Sequence, residues 1–98
     1  MIPEITQAIR DRRVLVFRYE DLDRTVEPHL YGVHRDSGNE ILVAWQVGGF
    51  SHSGDRPGWR NFLASDVRQL RLLDETFATP RAGYNPSDEQ FRFVFERV

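Results

Sequence analysis

Five short segments rich in β-branched, aromatic and aliphatic side chains dominate this sequence, and clusters of turn-forming residues separate most of them. They span residues 14–20, 24–35, 40–47, 59–64 and 67–73. Short strands at this spacing are typical of a small barrel or a strongly bent antiparallel sheet. A chain of 98 residues is long enough for one such domain. We therefore predict a mostly β (α+β) single domain over residues 1–98, with its barrel or sheet at 14–75.

The second and third segments indicate how the strands are arranged. Pro28 lies inside the second segment, which predicts an edge, a bulge or a strong bend there. The third segment is the most apolar run, and it suits a central strand that is packed on both faces. Residues 46–61 contain four glycines and Pro57, so we expect a long loop or a loosely paired hairpin.

Helical signals occur at both ends of the chain. Residues 1–13 predict an N-terminal helix, with Pro3 in its first turn and isoleucines recurring on one face. Residues 76–85 predict an extended linker. Asn85 and Pro86 then form a cap and first helical position, so residues 86–98 predict a C-terminal helix.

The expected C-terminal helix has more apolar groups than one narrow stripe accommodates. Phe91, Val94 and Phe95 recur at helical spacing, whereas Phe93 lies away from that face. A homodimer contact through Phe91, Phe93, Val94 and Phe95 would bury both surfaces. The helix could equally cover its own barrel and leave Phe93 partly exposed.

Composition excludes several classes of protein. The chain has no cysteine, so it has no disulfide, thiol nucleophile or thiolate metal site. No apolar run is long enough to span a membrane, and the N-terminal residues lack the pattern of a signal peptide, so we expect a cytoplasmic protein. All 13 basic residues are arginine and the formal net charge is −2. Any nucleic-acid contact must therefore come from a local patch.

The order and spacing of several motifs resemble those of a WYL domain. The matching pieces are Phe17-Arg18-Tyr19, Arg24-Thr25-Val26-Glu27-Pro28, Glu40 to Trp45, Arg60-Asn61-Phe62 and Val67. The resemblance covers about residues 5–74. It implies a small five-stranded Sm-like barrel. It also implies a bacterial regulatory module that senses a nucleotide or nucleic acid through a basic pocket.

Three positions depart from the family pattern. The naming tripeptide aligns with Glu40-Ile41-Leu42, which keeps only the leucine. Leu63 replaces the second arginine of the arginine segment, and Asp66 takes the later basic position. We infer a pocket that is partly dismantled or rebuilt. Because residues 1–13 hold only one helix, with no DNA-reading helix-turn-helix, we expect a free-standing copy.

Arg60 is the first candidate for a ligand contact, because it matches the family motif and borders the glycine-rich loop. Alternatively, it is a surface arginine paired with Asp55 or Glu27. The remaining predicted pocket residues contribute charge, hydrogen bonds or stacking faces: Arg56, Gln46, Tyr31, His29, Trp59 and Trp45. For Trp45, core or rim packing is the stronger interpretation because its neighbours are apolar.

Other combinations of residues in the sequence do not support catalysis or cofactor binding. His29 and His34 lack the spacing of converging metal ligands on a strand. Residues 51–55 contain serine, histidine and aspartate, but no strand–elbow–helix frame orients them as a triad. Gly48-Gly49 is too short to cradle phosphates. We expect no cofactor, no metal and no enzymatic activity.

Two functional hypotheses remain from the sequence. The first is a bacterial sensor module that binds a nucleotide or single-stranded nucleic acid through the arginine-containing pocket. The second is a protein-interaction or oligomerisation module without a small ligand. Arg60 and the glycine-rich loop favour the first hypothesis, while the depleted arginine segment and the acidic pI of about 5.9 favour the second.

Overall fold

A computed structural model describes residues 1–49 and 56–98 of the chain. Over these residues the chain forms one α-helix, six strands and a short 3₁₀ turn at Ala64–Asp66. The elements are α1 (Pro3–Asp11), β1 (Arg13–Tyr19), β2 (Leu22–His34), β3 (Glu40–Gly49), β4 (Gly58–Leu63), β5 (Arg68–Thr76) and β6 (Phe91–Arg97). The mostly β class is confirmed, but one helix and six strands stand where two helices and five strands were predicted.

The strands form an open antiparallel sheet and not a closed barrel. Their order is β4-β3-β2-β1-β5, and β6 pairs separately with β2. Among the described residues no ladder joins β4 to β5, so the predicted barrel closure is wrong and the antiparallel-sheet alternative holds. β5 pairs with β1 through two register shifts, and Gln69 within β5 has a φ of 55°.

β2 changes its partner halfway along its length. Residues 22–26 pair with β1, whereas Leu30–His34 pair with β6, which takes the place of β1 along the same edge of β2. Pro28 lies between the two ladders, and the pairing of β2 with β3 shifts register between Pro28 and Leu30. A proline donates no ladder hydrogen bond, so this site suits it. The predicted bulge at Pro28 is confirmed.

The predicted C-terminal helix at 86–98 is wrong, because its apolar part is strand β6. Asn85 and Asp88 do not cap a helix, and their carboxamide and carboxylate oxygens accept turn hydrogen bonds from Ser87 and Gln90. Phe91, Phe93 and Phe95 also alternate with period two, which suits a strand. A helix this short is marginal, whereas the vacant position beside β2 provides a complete hydrogen-bonded ladder.

The two faces of the sheet have different covers. On one, here called the inner face, Ile5, Ala8 and Ile9 of α1 pack against the apolar core of β1 to β4. On the opposite, outer face lies a segment without regular structure, residues 77–84, here called the strap. The predicted linker at 76–85 begins with Thr76, the last residue of β5, and residues from 77 onward pack closely against the sheet. The position of the candidate site follows from this division.

Candidate functional site

Three polar residues project from neighbouring strands onto the inner face. Arg24 pairs with Phe17 across β1 and β2, Gln46 pairs with Val26, and Arg60 pairs with Ala44. Direct cross-strand partners share a face, so these residues lie on the same side as the apolar core. Arg24 is 3% exposed and Gln46 is 0% exposed. We call Arg24, Gln46 and Arg60 the arginine cluster.

Each member of the arginine cluster keeps one buried donor without an acceptor. These donors are Nε of Arg24, Nε2 of Gln46 and Nε of Arg60, and the described residues provide no hydrogen-bond partner for any of them. Buried N–H groups are almost always paired in native proteins, because an orphaned donor costs about 1–3 kcal/mol. All three orphans are donors. They therefore provide a site for oxygen acceptors.

The other donors of the cluster are already used within the protein. Arg24 donates from Nη1 to the side-chain oxygen of Gln46 at 3.2 Å, and from Nη2 to the carbonyl of Tyr19 at 3.2 Å. Arg60 donates to the carbonyls of Trp59 and Arg56, at 3.0 and 2.8 Å. These bonds fix both guanidinium groups, so the free Nε edges are held in place.

The local electrostatics favour an anion. Burial lowers the pKa of Arg24, the nearby Glu20 carboxylate raises it, and the positive charge of Arg60 lowers it again. The guanidinium of Arg24 lies 5.5 Å from the ring centroid of Tyr19 and 5.7 Å from that of Phe62. Two guanidinium groups thus lie close to each other. Among the described residues, Glu20 is the one carboxylate that bonds to either of them, and it is more than half exposed. An oxyanion would offset this charge.

The predicted aromatic partners of Arg60 lie on the other face. Glu27, Trp45 and Trp59 are direct neighbours across β2, β3 and β4 on the outer face. His29 joins them there, with its ring centroid 4.8 Å from that of Trp59. The structure therefore does not bring Trp45, Trp59 or His29 to the arginine cluster.

Tyr31 shares the inner face with the cluster, but its hydroxyl is already engaged. It donates to a carboxylate oxygen of Glu40 and accepts from the backbone N–H of Ile2 at 2.9 Å. His29 and Tyr31, both predicted to line one pocket, lie on opposite faces, because the bulge after Pro28 interrupts the alternation of β2. Arg56 is exposed and contributes its carbonyl oxygen to Arg60.

Sequence reasoning found Arg60 and Gln46 but missed Arg24, which was noted only as part of a motif. Arg24 could have been found from its position two residues before Val26, which places it on the buried face of a strand. Charged side chains are rarely buried there without a partner. The alternative pairing of Arg60 with Glu27 is wrong, because Glu27 binds Arg81 on the other face. Asp55 and the rest of residues 51–55 lie outside the described residues.

Two open grooves, with volumes of about 500 and 540 Å³, lie beside β1 and β5, and neither is lined by Gln46 or Arg60. Arg24 lines the first groove and Glu20 lines the second. Together they are lined by four arginines and four carboxylates, at positions 18, 24, 68 and 71 and at positions 20, 21, 23 and 66. The grooves therefore carry no net positive charge that would attract a long polyanion.

The described residues contain neither a metal-binding cluster nor a membrane-spanning helix. In residues 1–49 and 56–98, no group of three or more histidine, aspartate or glutamate side chains is placed to hold a metal ion. In the same part of the chain, no helix is long and apolar enough to cross a membrane.

Over the described residues the fold is a small, mostly β domain, an open antiparallel sheet that one helix covers. The chain belongs to the WYL domain family, since the WYL domain family model matches residues 1–72, from α1 into β5. WYL domains are regulatory, sensor-type domains of bacteria. The whole arginine cluster lies inside the matched residues, whereas the strap and β6 lie outside them. Comparisons with curated proteins and with solved structures gave no match.

Proposed function

We propose that this domain is a bacterial sensor module that binds a nucleotide-type anion through the arginine cluster. The observation that carries the proposal is the set of three buried side-chain donors for which residues 1–49 and 56–98 provide no acceptor. A phosphate group presents several oxygen acceptors in one small volume, and bonds from guanidinium to phosphate are charge-assisted. A bound phosphate would satisfy the donors and offset the charge of two neighbouring arginines.

Recognition in this site depends on the phosphate more than on the base. The tryptophans that were predicted to stack on a base lie on the outer face. The rings nearest the cluster, Tyr19 and Phe62, already pack against Arg24. The grooves beside β1 and β5 carry balanced charge, which favours a ligand of nucleotide size over a long single strand.

Fluorescence polarisation tests this proposal with a labelled nucleotide and with labelled single-stranded DNA and RNA, each over a series of salt concentrations. We expect saturable nucleotide binding that weakens by about tenfold or more in Arg60→Ala and in Arg24→Gln. Arg92→Ala is the matched control, because Arg92 is an exposed arginine on β6. Unchanged affinity in Arg60→Ala would contradict the proposed site.

A second function, homodimerisation, is favoured by the exposure of Phe93. This side chain is 57% exposed on β6, a strand that pairs on one side only, with β2, among the described residues. Phe91 is buried, while Val94 and Phe95 are half-buried, so the predicted interface reduces to Phe93 and its neighbour Phe95 at 5.4 Å between ring centroids.

Light scattering after size exclusion tests the dimer. We expect a dimeric mass for the wild type and a monomeric mass for Phe93→Glu, because a charge at this position would be desolvated in the contact. A monomeric wild type at every concentration used would rule out the dimer without affecting the ligand proposal.

A further inference from the structure

The outer face holds an arginine side chain in a pocket of defined geometry. Both carboxylate oxygens of Glu27 accept from Arg81, one from Nε at 2.7 Å and one from Nη2 at 2.9 Å. The guanidinium carbon of Arg81 lies 5.4 Å from the ring centroid of Trp45. A carboxylate that accepts two hydrogen bonds, placed beside an aromatic face, suits a guanidinium better than an ammonium.

The two partners of this contact differ in how firmly the fold holds them. The side chain of Glu27 is 8% exposed and belongs to β2, while that of Arg81 is 44% exposed and belongs to the irregular strap. A buried carboxylate needs a cation or a set of donors to offset its desolvation. The pocket is thus built into the sheet, whereas its occupant is carried by the segment laid over it.

The outer face also contacts the backbone around Arg81. The backbone N–H of Arg81 donates to Nε2 of His29 at 3.1 Å, and Nε1 of Trp59 donates to the carbonyl of Ala82 at 2.9 Å. Gly83 follows with a φ of 88°, and a Cβ there would lie 3.1 Å from Nε1 of Trp59. Tyr84 donates its backbone N–H to the carbonyl of Arg81 at 3.1 Å, so residues 81–84 form a turn. The outer face therefore contacts the backbone of an arginine-bearing turn as well as the positive charge.

The pocket and its occupant fall in different parts of the chain. Glu27, His29, Trp45 and Trp59 all lie within the residues matched by the family model, while the strap begins after that match ends at residue 72. A cleft of about 270 Å³ remains beside the ion pair, lined by Glu27, Arg81 and residues 76–79. The strap does not fill the space around the carboxylate.

We propose that the outer face is an arginine-recognition surface, which Arg81 occupies in cis and an arginine-bearing turn of a partner protein occupies in trans. Displacement of the strap would free Glu27 and the face of Trp45 for the incoming guanidinium. A tethered occupant acts at an effective concentration of order millimolar. A partner segment must therefore add contacts of its own to replace the strap.

The test uses the full chain and a labelled peptide that copies residues 79–83, Thr-Pro-Arg-Ala-Gly. Arg81→Asp places a carboxylate opposite Glu27 and is expected to release the strap. Fluorescence anisotropy should then show peptide binding about tenfold tighter or more than to the wild type, whose pocket is occupied. The peptide with glutamine in place of arginine should lose that binding, and so should the double variant Arg81→Asp with Glu27→Gln.

Far-ultraviolet circular dichroism checks that each variant is folded, and Arg81→Ala replaces Arg81→Asp if the latter does not fold. A folded variant that binds the arginine peptide no better than the wild type would overturn the proposal. Equal binding of the glutamine peptide would overturn it too, because the surface would then not read the guanidinium. The arginine cluster lies on the other face, so nucleotide binding by Arg81→Asp should stay unchanged.

Discussion

At the scale of single residues, Arg24 places a guanidinium in the core of the sheet at 3% exposure, with one donor that has no partner in the described part of the chain. Such a residue is costly for stability, because desolvation of the charge is only partly offset by Gln46 and Glu20. We expect Arg24→Met to leave the free energy of unfolding unchanged or to raise it by up to about 1 kcal/mol. Urea titration measures this change.

The same Arg24→Met variant should lose affinity for the labelled nucleotide. Arg24→Ala is the contrasting variant, because it removes the charge but leaves a cavity, and it should lower the free energy of unfolding. If Arg24→Met were strongly destabilised, Arg24 would be a structural residue, and its Nε donor would carry no argument for a ligand.

His29 couples the outer face to pH. Its ring is fully buried, with Nδ1 bonded to the carbonyl of Glu27 and Nε2 accepting from Arg81, which defines a neutral ring. Burial lowers the pKa of His29, the Glu27 carbonyl and carboxylate raise it, and the charges of Arg81 and Arg12 lower it. The unfolded chain, with an ordinary histidine pKa near 6.5, therefore binds a proton at a higher pH than the folded protein.

The stability that His29 provides should thus be complete above about pH 6.5 and decline as the pH falls below that value, by at most about 1.4 kcal/mol per pH unit. Urea titrations between pH 7.5 and pH 5.5 should show a smaller decline in His29→Gln than in the wild type. His34→Gln provides the matched histidine control on the same strand and should follow the wild type. Equal declines in wild type and His29→Gln would contradict this account.

The candidate site could be predicted from sequence only in part, and the reason lies in two residues. Arg60 and Gln46 were found from a motif and a loop boundary, and they are together on the inner face. Trp59 is adjacent to Arg60 in sequence, and neighbouring residues on a strand point to opposite faces. His29 lies on the face opposite Tyr31 because Pro28 signals an irregularity in β2 without fixing which residues it moves to the other face.

At the scale of elements, the contact between β2 and β6 depends on a glycine. A Cβ at Gly32 would lie 2.3 Å from the carbonyl oxygen of Phe93 and 3.1 Å from Cα of Val94. Gly32→Ala should therefore push β6 away from β2 and destabilise the domain by about 1–3 kcal/mol, as urea titration would show. Gly48→Ala is the control, because its Cβ would meet its nearest neighbour, Cβ of Thr25, at 3.9 Å.

Hydrogen exchange then locates the effect of Gly32→Ala. Amides of β6 should exchange faster, while those in the pairing of β1 with β2 stay protected. A Gly32→Ala variant as stable as Gly48→Ala would show that β6 does not pack closely on β2.

The elements themselves were predictable to the extent that local chemistry decides them. Turn residues and alternating apolar positions located α1 and β1 to β5 within a few residues. Residues 91–97 satisfy both periods, since phenylalanines alternate while Val94 and Val98 add helical spacing. The segment forms a strand and not a helix because the edge of β2 at Leu30–His34 is free to pair with it. That edge is a property of the folded sheet and not of the segment.

At the scale of the whole molecule, both faces depend on the same two strands. β2 and β3 carry the core that α1 covers and also the row of Glu27 and Trp45 that the strap covers. We therefore expect one cooperative unfolding transition, in which tryptophan fluorescence from the outer face coincides with far-ultraviolet circular dichroism from the sheet. A fluorescence transition at lower urea would show that the strap opens before the sheet unfolds.

The change of partner along β2 has a consequence for the exposed surface of the domain. The part of β2 beyond Pro28 presents an edge with which a short strand can pair even when its register is irregular, because backbone ladders depend on geometry and not on side-chain identity. The arginine cluster is built from strands β2, β3 and β4, away from this edge. A terminal strand of different sequence can therefore pair there and change the exposed surface without altering the arginine cluster.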